Sequence, residues 1–191
     1  MQVRIRNLFR IIFTSIVLLS SSLFAYSSEF KVYKNTTYNL TINYPKGWKV
    51  YSPSEVKHKT KGLLSPSKNT ISIIANPNDY DQNVNIQIIE GVNTSNLTDA
   101  QIGEIANSMD RSYAQQIGSF VKISHKSITV DKNKALEYTF KAPRNNVQIQ
   151  QKQITIIKNG KAYMITCTAK EDEFNAIDKE CFRPLIDSIR L

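Results

Sequence analysis

The stretch VQIQQKQITIIK-NG-KAYMITCT, residues 147–168, decides the fold of this chain. Asn159-Gly160 between two apolar-rich runs is the strongest short signal for a β-hairpin, because both turn residues tolerate a positive φ. A two-residue turn also fixes which residues lie opposite one another. The expected pairs are Ile156–Tyr163, Ile154–Ile165 and Lys152–Cys167 on one face, and Ile157–Ala162 and Thr155–Met164 on the other. Because both faces are partly apolar, we expect this hairpin to be central and covered on both sides.

Further strands are indicated by alternation of apolar and polar residues. Residues 38–44 alternate strictly, which is the pattern of a half-buried strand, and residues 30–33 supply a partner strand. The Ser-, Pro- and Lys-rich residues 52–69 indicate an exposed loop. The remaining strand predictions are residues 48–51, 71–75, 84–89, 121–130 and 134–141, the last two joined by a turn at residues 131–133.

A first amphipathic helix is predicted after residue 98. Thr98 and Gln101 have the spacing of a capping box, and Gly118 stands where the helix would end. Its apolar residues recur at helical spacing and are Ile102, Ile105, Ala106, Met109, Tyr113 and Ile117. The opposite side is charged, so we expect the helix to lie on an apolar surface.

A second amphipathic helix is predicted at the C-terminal end. Thr168 and Glu171 offer another capping box, and Pro184 predicts a kink or a restart near Phe182. Antiparallel strands with amphipathic helices packed on them make an α+β fold. We therefore predict an antiparallel β-sheet between helices, an α/β/α sandwich.

The first twenty-five residues have the pattern of a secretory signal peptide. Arg4, Arg6 and Arg10 precede an apolar stretch, and small residues then lead to Ala25, after which we expect cleavage. The apolar stretch is shorter than the roughly 20 residues of a membrane span, and an uncleaved anchor is the alternative. We therefore expect residues 26–191 to form a single exported domain, in the periplasm or outside the cell.

Charge is unevenly distributed along the chain. The formal net charge of +9 falls to +6 without the three arginines of the signal. Residues 26–68 and 120–170 are basic and hold most predicted strands, whereas residues 69–119 and 171–191 are acidic and hold the helices. A basic surface attracts an acidic partner protein or anionic lipid headgroups; the alternative is a solvated surface that favours solubility. Nucleic acid is not expected as a partner, because export argues against it and no arginine-rich stripe is present.

The stretch YNLTINYPKGW, residues 38–48, resembles the opening of PsbP-like domains, an aromatic-led alternating strand closed by a Tyr-Pro-x-Gly-Trp corner. The C-terminal part is similar to the same family. Its matching residues are Asn159-Gly160-Lys161-Ala162-Tyr163, Thr166-Cys167-Thr168-Ala169, Phe174, Phe182 and Leu185-Ile186-Asp187-Ser188-Ile189. The resemblance covers nearly all of residues 29–191, and its motifs are signatures of turns and core.

This resemblance implies an antiparallel sheet between helices and an accessory or docking role outside the cytoplasm. The best-known PsbP-like proteins are extrinsic subunits of photosystem II on the lumen side, where they help to retain inorganic ions. Those subunits carry an extension ahead of the domain, whereas here the first predicted strand begins about five residues after the expected cleavage site. We therefore expect a bacterial relative with another role, and a photosystem II extrinsic subunit is the alternative.

Residues able to carry catalysis or to bind a metal are few. The two histidines, His58 in the predicted loop and His125 in a predicted strand, fall short of the three or four ligands of an ordinary metal site. The sequence has no Gly-x-Ser-x-Gly elbow, no phosphate-binding loop and no dinucleotide fingerprint. We therefore expect a non-enzymatic domain with no catalytic residue, no metal and no cofactor.

Cys167 and Cys181 are the one candidate disulfide pair, since an exported domain lies in an oxidising compartment. Cys181 lies about 15 Å along the second predicted helix. Bridged Cα atoms must lie within about 7 Å, so a straight return of the helix separates the two cysteines and a diagonal crossing joins them. Two separately buried thiols are the alternative.

Two hypotheses for function follow, and an enzyme, which would need His125 and two carboxylates gathered in a cleft, is the third. In the first, the chain is an exported non-enzymatic binding domain that docks on a membrane-associated complex or on the envelope surface. Its partner is then an unidentified protein of the envelope, with peripheral contact to the membrane. In the second, it is an extracytoplasmic carrier of a small apolar ligand held between sheet and helices.

Overall fold

The computed structural model describes residues 29–59, 66–94, 96–117 and 119–191. The predicted signal peptide, its cleavage after Ala25 and the predicted helix end at Gly118 lie outside these residues. Within the described ranges, no helix combines the length and the apolar character that a bilayer crossing requires.

Nine strands of the described chain form two antiparallel sheets. β1 (Phe30–Asn35) and β2 (Leu40–Pro45) pair as a two-stranded sheet. The other seven lie in the order β3-β4-β5-β9-β8-β7-β6. They are β3 (Lys49–Tyr51), β4 (Thr70–Asn76), β5 (Asp79–Glu90), β6 (Val121–Val130), β7 (Asn133–Arg144), β8 (Val147–Lys158) and β9 (Lys161–Lys170). The predicted antiparallel α+β fold is confirmed, although the N-terminal hairpin forms a sheet of its own.

The hairpin of β8 and β9 has the predicted register throughout. Asn159 and Gly160 have φ of 51° and 74°, as a tight hairpin turn requires. Asn145-Asn146 and Asp131-Lys132 also have positive φ, so β6 to β9 form one meander joined by two-residue turns. Ile154 and Ile165 are buried on one face of the hairpin, and Ile157 and Ala162 on the other.

Helix α2 (Asp99–Gln116) begins as predicted. The Thr98 hydroxyl accepts from the Gln101 N–H at 3.2 Å, and the Gln101 side chain accepts from the Thr98 N–H at 2.9 Å. The expected apolar stripe packs on β7 and the adjoining strands, with Ile102 and Ala106 buried most deeply.

The C-terminal helix differs from the prediction at its start. Thr168 is a buried residue of β9, and its hydroxyl accepts from the side chain of Gln151 at 3.0 Å. The capping box predicted there is therefore wrong: strand pairing with β8 continues to Lys170 and takes precedence over the helix. Helix α3 (Phe174–Ile177), a π-helical turn (Asp178–Phe182) and α4 (Arg183–Asp187) follow in succession. The restart near Phe182 is confirmed, because α4 begins where Pro184 can occupy a first-turn position.

A further helix lies where a loop was predicted. Helix α1 (Pro53–Lys59) packs on β3 and β4 through the fully buried Val56. Ser52 and Glu55 exchange the hydrogen bonds of a capping box, Ser52 N–H to the carboxylate at 2.8 Å and Glu55 N–H to the hydroxyl at 3.3 Å. The Ser and Pro residues that indicated a loop are thus the start of a short helix.

The large sheet is covered on both faces, which gives the predicted sandwich. On one face the C-terminal helices and β2 enclose the larger core, in which Leu40, Ile86, Ile154, Phe182 and Ile189 are buried. On the other face α2 covers the β6 and β7 side, and α1 covers the β3 and β4 side.

Candidate docking surface

The bases of the strand-rich segment 120–170 are almost all neutralised by ion pairs. Nine of its ten lysines and arginines lie within 4.0 Å of a carboxylate, and seven of those nine pair with acids of the segments 69–119 and 171–191. These seven are Lys122–Asp110, Lys134–Asp99, Lys141–Glu171, Arg144–Asp81, Lys152–Asp178, Lys161–Glu90 and Lys170–Asp79. The charge asymmetry along the sequence is therefore largely cancelled in space.

A positive surface remains on the N-terminal strands, which we call the N-terminal lysine surface. It consists of the exposed Lys31, Val32, Lys34, Lys46, Lys49 and Val50. Lys31, Lys34 and Lys49 form no ion pair with any described residue. Lys46 pairs with Glu29, but both side chains are more than half exposed, so the pair contributes little to stability. Val32 is 64% exposed, the largest exposed fraction among the large apolar side chains of the described residues.

Alternation along β1 and β2 determines which side chains of this hairpin point away from the core. The fully buried Leu40 and Ile42 hold β2 on the larger core, and Tyr33 lies opposite Ile42 on the inner side. Val32 and Lys34 therefore point outward, whereas the exposed Lys31 lies on the Tyr33 side near the start of the strand. Thr41 fixes the hairpin to the end of the chain by exchanging two 2.9 Å backbone hydrogen bonds with Arg190.

The Pro-x-Gly-Trp corner brings the remaining lysines to the same region. The Trp48 N–H donates to the Pro45 carbonyl at 2.9 Å, and the buried indole meets the Phe182 ring edge-on at 6.1 Å. The Lys46 N–H donates to the Glu29 carbonyl at 2.7 Å, which places Lys46 beside the start of β1. Lys49 follows on β3, where it lies opposite Ala75 of β4. Lys46 and Lys49 were not predicted as site residues. Runs of basic residues in the sequence do not show which of them form ion pairs in the structure.

The two histidines are exposed and lie at opposite sides of the large sheet. His58 is on α1, over β3 and β4, and His125 is on the edge strand β6. Five strand spacings separate β4 from β6, which is roughly 25 Å. Among the described residues, no group of three or more His, Cys, Asp or Glu side chains could hold a metal ion.

A buried ion pair joins the central strand β8 to the π-helical turn. The Lys152 ammonium donates to Asp178, and Arg183 Nε lies 3.4 Å from the other carboxylate oxygen. Lys152 also lies over the Phe174 ring, 5.9 Å from its centroid. Both carboxylate oxygens are occupied, so the pair anchors the C-terminal helices and presents no free acid or base.

A second polar network lies under α2. The Tyr138 hydroxyl and the Lys122 ammonium both donate to Asp110. Burial works against the ionised carboxyl, but these two hydrogen bonds outweigh it and lower the pKa of Asp110. Burial and the neighbouring carboxylate raise the pKa of Tyr138. Tyr138 thus stays protonated and acts as a donor within the apolar cluster.

Both cysteines are free thiols in the structure. Cys167 is fully buried in the larger core, and Cys181 is half-buried on the π-helical turn. Burial raises the pKa of Cys167, and it raises the pKa of Cys181 to about 11. Both thiols are poor nucleophiles at neutral pH, and the disulfide stays a prediction.

Comparisons with known proteins agree with this fold. Cyanobacterial PsbP (CyanoP) from Synechocystis sp. PCC 6803 has a TM-score of 0.63 at 13% identity, over 86% of this chain and 93% of that one. A protein from Bacteroides thetaiotaomicron has a TM-score of 0.53 at 11% identity, over 84% of this chain and 47% of that one. The Ran-binding protein Mog1p from Saccharomyces cerevisiae has a TM-score of 0.52 at 8% identity, over 85% of this chain and 95% of that one. At these identities the likeness concerns the fold alone.

Comparison with the curated proteins gives no significant match. The family model described as PsbP-like protein, however, matches residues 18–191, which include both sheets and all the helices described above. The chain belongs to the PsbP-like protein family.

Proposed function

We propose that the chain is an exported, non-enzymatic accessory domain that docks through its N-terminal lysine surface on an acidic patch of a membrane-associated complex or of the envelope. One observation carries this proposal. Three exposed lysines without an ion-pair partner among the described residues lie on β1 and β3, the same two strands that carry the exposed Val32 and Val50, whereas nine bases of the segment 120–170 are paired.

The chemistry of this surface suits contact with an acidic partner. Unpaired ammonium groups attract acidic groups over about one Debye length, close to 10 Å in 0.1 M salt. Val32, on the same side of β1 as Lys34, supplies apolar area that leaves water on contact. Electrostatic attraction at long range and burial of apolar area on contact therefore act at the same part of the surface.

The absence of enzymatic activity is part of the proposal. The titratable groups found together in the described chain are mutually satisfied, as in the pairs of Lys152 with Asp178 and of Lys122 with Asp110. A general acid or base requires a group that is free to exchange a proton with a substrate. The exposed histidines stand on opposite sides of the sheet and do not supply such a group jointly.

Sedimentation with washed envelope membranes tests the docking surface. The protein should bind in about 30 mM salt and dissociate in about 300 mM salt, because screening shortens the range of the attraction. The triple substitution Lys31→Glu, Lys34→Glu, Lys49→Glu should abolish binding in low salt.

The matched control is the triple substitution Arg111→Glu, Lys132→Glu, Lys179→Glu. These three exposed bases also form no ion pair with a described residue, and the change in net charge is the same. The control should keep most of the binding. Equal losses in the two triple variants would show that net charge, rather than this surface, determines binding, and the proposal would fail.

A further inference from the structure

Strand β6 forms the long, exposed edge of the large sheet. It has ten residues and lies outermost beyond β7, whereas the strand at the opposite edge, β3, has only three. Most side chains of β6 are exposed, and among them Val121 and Ile123 are 54% and 45% exposed. The open edge of a sheet presents backbone N–H and C=O groups without partners, so it is a template for pairing with another chain.

The turn at the end of β6 determines which of its backbone groups point away from β7. Val130 and Asn133 close a two-residue turn, so they form a hydrogen-bonded pair, and hydrogen-bonded pairs alternate with non-hydrogen-bonded pairs from there. His125, Ser127 and Thr129 therefore occupy positions that make no ladder hydrogen bond to β7. In the part of the chain that the structure describes, none of the three makes a backbone hydrogen bond elsewhere. Their N–H and C=O groups are open to a further strand.

A β-bulge and the turn delimit the regular part of this edge. The register with β7 shifts between Lys122 and Ser124, which leaves Ile123 as the extra residue of the bulge. The regular part is therefore residues 124–130, and its central residue is Ser127. A second copy of β6 that pairs antiparallel about this residue uses the whole regular part and ends at the bulge and at the turn.

We propose that two copies of this chain form a dimer by antiparallel pairing of their β6 edges about a two-fold axis at Ser127. In this register the two Ser127 residues lie opposite each other, and His125 lies opposite Thr129 of the second copy. All three outward-pointing residues of each copy then take part, in about six backbone hydrogen bonds. An axis one residue to either side would bring an outward-pointing residue opposite the bulge or the turn and lose about two of these bonds. This interface is separate from docking through the N-terminal lysine surface.

The charges along the edge suit a second copy in this register. Lys126 lies opposite Ile128 of the second copy, and Glu137 of its own copy pairs with it at 3.1 Å. An axis at Lys126 would instead place two lysines opposite each other, which is unfavourable. An acidic extended peptide is the alternative occupant, but the one lysine within residues 124–130 already has its carboxylate.

The interface is small, because only two strand edges and the side chains along them come into contact. Its area lies at the lower end of the range for specific complexes. We therefore expect a dissociation constant on the order of 100 µM, so that the edge stays open in dilute solution.

Sedimentation velocity and amide hydrogen exchange between about 10 µM and about 1 mM protein test the proposal. The sedimentation coefficient should rise toward that of a dimer over this range. The amides of His125, Ser127 and Thr129 should exchange about fourfold more slowly at the upper concentration, because most chains are then paired. Exchange of the amides of β3 should not depend on concentration.

Substitutions of Ser127 test the axis itself. Ser127→Pro removes the N–H at the axis and should abolish the dimer, while an edge strand accepts proline where the N–H points away from the ladder. Ser127→Glu is the second variant in case Ser127→Pro does not fold, and it should weaken the dimer about fivefold or more by placing two carboxylates opposite each other. The matched control Ser127→Ala keeps the backbone N–H and should dimerise as the parent chain does.

Three results would overturn the proposal. The protein could sediment as a monomer up to about 1 mM. The dimer could survive both Ser127→Pro and Ser127→Glu, or be lost in Ser127→Ala, which would show that backbone pairing at this edge does not join the copies. Finally, the three outward amides could gain protection only from an added acidic extended peptide, in which case the edge binds another chain.

Discussion

Lys152 and Asp178 show how one residue pair links the central strand to the C-terminal helices. Both side chains are nearly buried, and each has a satisfied partner. Lys152 was expected beside Cys167 on one face of the hairpin, and the structure confirms that register. Its acidic partner was not predicted, because a helix starting near Thr168 would have placed Asp178 almost three turns further along.

Removing only one member of this buried pair should be costly. Asp178→Ala should lower the free energy of unfolding by about 3–5 kcal/mol, because it leaves the Lys152 ammonium buried without a counter-ion. The double variant Lys152→Met, Asp178→Leu should lose less than half of that amount, since two apolar side chains need no compensation. Urea unfolding of both variants measures the difference.

The partly exposed pair of Lys141 and Glu171 is the control for the buried one. Glu171→Ala should cost about 1 kcal/mol or less, because solvent screens this pair. We interpret the loss of stability in Asp178→Ala as the effect of the unpaired Lys152 charge. If the double variant Lys152→Met, Asp178→Leu were as unstable as Asp178→Ala, that interpretation would be contradicted.

Three Ser/Thr-x-x-Glu/Gln patterns show how far local signals predict the elements. Ser52 and Thr98 begin helices, whereas Thr168 lies inside a strand. The local pattern is the same at all three positions, and the difference comes from strand pairing with β8, which is a long-range contact. The central hairpin and the stripe of α2 could be predicted because the periodicity of their own residues specifies them. The helix α1 was missed because its Pro and Ser residues also occur in loops.

The contribution of the α2 capping box to the free energy of unfolding should be measurable with a single substitution. Thr98→Ala removes the side-chain acceptor of the Gln101 N–H and should lower the free energy of unfolding by about 1 kcal/mol. Ser108→Ala, on the exposed side of the same helix, should be neutral or slightly stabilising, because alanine has the higher helix propensity. Chemical denaturation would refute the role of the cap if both substitutions had the same effect.

At the scale of the whole molecule, the arrangement of charges and of sheet edges could not be read from the sequence. The acidic helices lie against the basic strands, so the basic runs of the segment 120–170 are mostly paired and a net positive surface remains on β1 and β3. Likewise, no local signal indicated that β1 and β2 would form a separate sheet. Their position depends on Thr41 pairing with Arg190, which is distant from it in the sequence.

Rates of native-state hydrogen exchange should differ between the central strands and the edge strand β6 of the large sheet. Amides of β8 and β9 lie in the middle of the large sheet and should exchange only by global unfolding. The amides of β6 that point away from β7 should exchange far faster, because β6 is the edge strand and most of its residues are exposed. Protection of those outward amides equal to that of β8 would mean that another chain covers the edge.

The bridge between Thr41 and Arg190 also has a consequence for the order in which the molecule is completed. β2 makes its backbone bridge to Arg190 only when that residue, far later in the chain, is available, and Ile189 must then enter the same interior as Leu40. The larger core therefore stays incomplete until the C-terminal helices of the described domain have been made. Passage through a translocation channel requires such an open polypeptide, so the closing contact between the two ends of the domain is compatible with folding after transport.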